Sequence, residues 1–164
     1  MRKLMAAICA GCICIMAGGI WGGYWMGHKY CSRLMDSKKL ADKHLHMVRL
    51  YDIWMMTKQN GASFEQFLLD KGIHTIAIYG MSYMGIRLFH ELEHGNVHIA
   101  YGMDQEVKAE IPRLKIYKPD EASKDGIDAV IVTAIFAFDI IKKNLEQLGF
   151  GKIISLDEII YNLI

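Results

Sequence analysis

Near the middle of the chain the hydrophobic period changes, and the order of the segments beyond that point narrows the possible folds sharply. Thr75-Ile76-Ala77-Ile78-Tyr79 is a short, almost wholly apolar run, as expected of a strand covered on both faces. Gly80-Met81-Ser82-Tyr83-Met84-Gly85 comes next. A helical stretch carrying Ile86, Leu88, Phe89 and Leu92 then continues until Gly95-Asn96 breaks it. Val97–Gly102 reads as a second strand, and Asp104 stands just past it. Strand, glycine turn, helix, strand and acid within about thirty residues is the order of a dinucleotide-binding βαβ unit.

Each part of that unit has a physical role. Gly80 permits a tight turn, and Gly85 lets the helix lie close on the strands. The opening amides and positive dipole end of the helix offer a cradle for a diphosphate. The candidate binding residues are therefore Gly80, Met81, Ser82, Tyr83, Met84 and Gly85, with Asp104, 19 positions after Gly85, accepting from a ribose hydroxyl. Ser82 stands where G-x-G-x-x-G has its second glycine, and its hydroxymethyl group either donates to phosphate or crowds it.

Leu114–Tyr117 reads as a third strand, reached with too few residues for a full crossover helix, and Asp128–Thr133 as a fourth. Phe136–Leu148 is a helix ended by Gly149, Lys152–Ser155 a fifth strand, and Leu156–Leu163 a closing helix. Thr133, ending the fourth strand, is expected to face the same crevice as the glycine turn. The fold class expected over 73–164 is α/β, a short three-layer Rossmann-like domain with about five mostly parallel strands. Enzymes of this fold that move hydride usually add a substrate domain, and the Tyr-x-x-x-Lys pair of short-chain dehydrogenases is absent, so an oxidoreductase or epimerase reading needs another chain.

Residues 37–72 read as connecting helices. Leu40, His44, Met47, Tyr51 and Trp54 form one stripe at alternating spacings of four and three. Asn60-Gly61 ends that helix, and Ser63-Phe64-Glu65-Gln66 matches a capping box in which Gln66 reaches back. Upstream, Leu4–Met26 is 23 residues without a charged side chain. At about 34 Å it is long enough to cross a bilayer as a helix, and it outruns the apolar core of a cleaved signal peptide. Arg2 and Lys3 precede it, whereas Lys29, Arg33, Lys38, Lys39 and Lys43 lie beyond it, which places the C-terminal domain in the cytoplasm of a single-pass cell-membrane protein. All four cysteines fall in the first 31 positions, so nothing in 32–164 suggests a disulfide framework. Ala6, Ala10, Cys14, Gly18 and Gly22 recur every fourth residue, a row suited to homodimer packing through the span. The net charge of +1 provides no basic field for nucleic acid.

His90-Glu91-Leu92-Glu93-His94 satisfies the H-E-x-x-H pattern of zinc peptidases. Gly95-Asn96 ends the helix at once, no third ligand comes after it in a suitable element, and the motif lies at the end of the helix away from the ligand crevice. No metal is expected.

The stretch from about Tyr51 to Leu163 resembles a family of small Rossmann-like, NAD(P)-binding-type proteins found beside glycosyltransferases in capsular and exopolysaccharide gene clusters of Gram-positive gut bacteria. The resemblance is carried by Tyr51-Asp52-Ile53-Trp54, by Ala77-Ile78-Tyr79-Gly80-Met81 with Gly85, and by Tyr101-Gly102-Met103-Asp104. Val132-Thr133-Ala134-Ile135-Phe136 and Ile154-Ser155-Leu156 complete it. That family usually has glycine or serine at the position of Ser82. The resemblance implies NAD(P) or a nucleotide-sugar as ligand and a membrane glycosyltransferase or other polysaccharide-assembly protein as partner. It leaves two functions as expectations: a nucleotide-binding accessory to surface-polysaccharide biosynthesis, or a non-catalytic interaction module.

Overall fold

The computed structural model describes residues 35–106 and 111–164. The expected membrane span at 4–26 lies outside the described residues, and among those described no helix is long and apolar enough to cross a membrane. The chain divides into two compact units, Met1–Met47 and Val48–Ile164. A helix, α1, covers residues 35–59. Within the second unit it buries Leu50, Trp54 and Thr57.

The five strands are β1 (Thr75–Tyr79), β2 (His98–Met103), β3 (Ile116–Tyr117), β4 (Ala129–Val132) and β5 (Ile153–Ser155). They form one sheet in the order β3-β2-β1-β4-β5, and every pair in it is parallel. The most apolar runs, TIAIY and AVIV, are the central strands, paired Ile76 to Ala129 through Tyr79 to Val132. All four residues of β4 are buried, as are all but the first of β1. Only strands with helices on both faces can dispense with a polar side in this way. The chain runs outward from β1 through β2 to β3, then returns across the sheet to β4 and β5. The direction of winding therefore reverses between β1 and β4, an arrangement consistent with the Rossmann-like fold.

The helices are α2 (Phe64–Asp70), α3 (Tyr83–Leu92), α4 (Phe138–Gln147) and α5 (Leu156–Asn162). Ile141 and Leu145 of α4 share a core with Ala77, Tyr79, Tyr101, Met103, Val130 and Val132, one face of the sheet. The alternate residues Ile76, Ile78 and Ile131 point the other way, and α2, which packs on both α3 and α5, belongs to that second layer. Met84, Leu88, Phe89 and Leu92 give α3 its buried stripe, at roughly 1.5–3 kcal/mol for each side chain taken fully from water.

Local chemistry explains where elements begin and end, with two departures from the sequence reading. Ser63 caps α2 by accepting from the Gln66 amide at 3.3 Å, but the Gln66 side chain turns forward to Asp70 at 2.7 Å, so only half of the capping box forms. The helix expected from Phe136 opens instead as a 3-10 turn over Ile135–Ala137, because neither Ala134 nor Ala137 has a side-chain acceptor to cap α4. Glu65 of α2 holds the turn between α3 and β2, accepting from the Asn96 amide and side chain at 2.5 and 2.6 Å. Before β4, Asp128 Oδ2 accepts from the amides of His74 and Thr75, both at 2.8 Å, and so ties the start of β1 to its neighbour. Those two bonds, opposed by partial burial and helped by His74 and Lys152, hold its carboxyl below the usual range.

Candidate functional site

The glycine turn leaves β1 at the point where the winding reverses, the position at which open α/β sheets receive ligands. Gly80 adopts φ +93°, and its amide donates to Met103 O at 2.8 Å. A Cβ at Gly80 would meet Thr133 Oγ1 at 2.8 Å, and one at Gly85 would come under 3.0 Å from the Gly80 carbonyl oxygen. Both glycines are thus demanded by contact: the first turn of α3 lies directly on the loop that precedes it.

Ser82 is the N-cap of α3, with extended backbone angles, and its hydroxyl makes no bond to its own helix. Ser82 and Tyr83 are exposed, while Met84 and Gly85 are buried. No acidic residue occupies the first turn of α3, whereas Glu65, Asp139 and the pair Asp157 and Glu158 sit in the first turns of α2, α4 and α5. The positive end of the α3 dipole therefore meets no side-chain countercharge on its own helix. Met81 turns down onto β2, where a Cβ at Gly102 would strike its Sδ at 2.9 Å.

Asp104 and Thr133 both stand beside this turn, and each is already engaged with it. Asp104 Oδ2 accepts from the Met81 amide at 2.8 Å and Oδ1 from the Glu106 amide at 3.2 Å. Each carboxylate oxygen keeps a further lone pair, so the group retains room for a hydroxyl donor. Thr133 is buried, and its hydroxyl donates to Gly80 O at 2.5 Å, with Tyr79 O at 3.2 Å. The side chain expected to face a ligand instead braces the turn that would hold it. The partner of Met81 escaped the sequence reading, although a glycine inside a strand, as at Gly102, is the ordinary signal of such a close approach.

The H-E-x-x-H stretch is taken apart by its neighbours. Glu91 receives Trp54 Nε1 at 3.2 Å and Lys58 Nζ at 2.8 Å, which fastens α3 to α1. Glu93, the intervening residue, is where the histidines converge: His90 Nδ1 lies 2.8 Å and His94 Nε2 3.7 Å from Oε1. Arg113 Nη2 stands 2.9 Å from Oε2 as an ion pair without the alignment of a hydrogen bond. The His90 bond, opposed by burial and reinforced by Arg113 and His94, lowers the Glu93 pKa. Arg113 reaches it from a tight turn after Pro112, at φ 70°. Among the described residues no three His, Cys, Asp or Glu side chains are grouped to hold a metal ion.

Comparison of the chain with protein-family models, with curated proteins and with solved structures finds no match.

Proposed function

We propose that the domain binds a nucleotide or nucleotide-sugar, with the diphosphate against Ser82 and the opening amides of α3 and the ribose near Asp104. The observation that carries this reading is the α3 N-terminus: it emerges at the reversal point of a parallel sheet, without an acid in its first turn. Ser82 supports it with a hydroxyl that its own helix does not use. NAD(P) and nucleotide-sugars share the diphosphate-ribose chemistry, and the resemblance to proteins of surface-polysaccharide clusters favours the second. In this reading the domain is a cytoplasmic accessory, anchored through residues 4–26 and working beside a membrane glycosyltransferase.

Calorimetry of the full-length chain against NAD(H), NADP(H) and UDP-sugars tests the reading. One of these ligands is expected to bind, and Ser82→Glu is expected to abolish that binding while leaving the fold intact. An acid at an N-cap suits the helix dipole but repels phosphate. Absence of binding by every ligand, or binding indifferent to Ser82→Glu, would falsify it.

A further inference from the structure

Two stretches singled out in the sequence, Tyr51–Trp54 and His90–His94, take no part in the glycine turn, yet they meet at one cavity. It holds about 460 Å³, within the range of small-molecule pockets. Tyr51, Trp54 and Met55 of α1 supply its apolar lining, and Lys58, Arg87, Glu91 and His90, the last bonded to Glu93, its polar lining. The wall is held in place from several sides. The Tyr51 and Trp54 rings are parallel within 4° at 6.1 Å, Phe64 backs Trp54 at 5.0 Å, and Glu91 pins the indole nitrogen.

The rim is not electrically balanced. Glu91 is matched by Lys58 at 2.8 Å. Arg87 has no carboxylate partner among the described residues. Its charge is felt in the cavity, where burial pushes the Tyr51 hydroxyl pKa up and Arg87 pulls it back. An occupant with an apolar ring and one anionic group would use both the apolar lining and the exposed Arg87 guanidinium. Flat, apolar and singly negative is the description that satisfies both.

We propose that this cavity is a second ligand site, independent of the glycine turn, for a small aromatic anion whose ring lies against Tyr51 and Met55 and whose carboxylate or sulfonate pairs with Arg87. An Arg fork is suited to such a planar oxyanion. Met55, 58% exposed, lines the cavity beside Tyr51.

The test uses the full-length chain in lipid nanodiscs, with 2-naphthoate and its neutral counterpart 2-naphthylmethanol as calorimetric probes and empty nanodiscs as the blank. Naphthoate is expected to bind saturably, one per chain, and to weaken roughly tenfold in Arg87→Gln, to the level of the alcohol. Met55→Glu, which sets a carboxylate among the lining residues, is expected to weaken both probes, the acid more than the alcohol. The proposal is overturned if naphthoate does not saturate, if acid and alcohol bind alike to the unaltered chain, or if Arg87→Gln binds naphthoate as the unaltered chain does.

Discussion

Replacing Gly85 with alanine sets two calculable effects against each other. Alanine is the better helix former by about 1 kcal/mol, so the change would stabilise an unobstructed helix. At this position the new Cβ comes under 3.0 Å from the Gly80 carbonyl oxygen, 3.1 Å from its carbon and 3.3 Å from Thr133 Oγ1. Neither neighbour can step aside cheaply. The Gly80 carbonyl is held by Thr133 at 2.5 Å, and the Gly80 amide by Met103 at 2.8 Å. Overpacking costs about 1–3 kcal/mol, and a strained or broken Thr133 bond about 1 kcal/mol more. Set against the helical gain, the net is a loss of about 1–3 kcal/mol. With a urea dependence of about 1–2 kcal/mol per molar, the unfolding midpoint read by far-UV circular dichroism should fall by about 0.5–3 M. A midpoint that holds or rises would refute the reasoning: helix propensity would then dominate, and α3 would not lie hard against the turn.

Two further outcomes concern the same turn and the opposite end of the sheet. Thr133→Val keeps the shape but leaves the buried Gly80 carbonyl without its hydroxyl donor, and should cost about 1–2 kcal/mol in urea unfolding, most of it recovered in Thr133→Ser; equal midpoints for valine and threonine would remove the bracing role. The Asp128 carboxyl has a lowered pKa in the folded chain, so its stabilisation is present above the ordinary value of 3.8 and is lost as pH falls through the folded value. Asp128→Asn should therefore flatten the dependence of thermal midpoint on pH below about 4 relative to the unaltered chain, and an unchanged acid profile would show that the two amide bonds of Asp128 carry no linkage.

Much of the domain is legible in the sequence because the signals are local. TIAIY and AVIV announce buried strands by their unbroken apolar character, and Gly80 and Gly85 announce a turn and a close helix by their position between strand and helix. Gly149, at φ +90°, stops its helix where expected. The third strand shrinks to Ile116–Tyr117, paired with Gly102 and Met103, because Leu114 is taken up in a bridge with Ile111.

The residues around the turn mark the boundary of what a linear reading supplies. That a tight turn should come after Tyr79 is written in consecutive residues, and so is the glycine spacing that permits it. That Thr133 bonds to a carbonyl 53 positions earlier, that Met81 rests on Gly102, and that Glu91 joins Trp54 and Lys58 are matters of which segments become neighbours. Spacing along a chain specifies periodicity and turns, but a hydroxyl or carboxylate chooses its partner only after the strands have paired as β3-β2-β1-β4-β5 and excluded water around it.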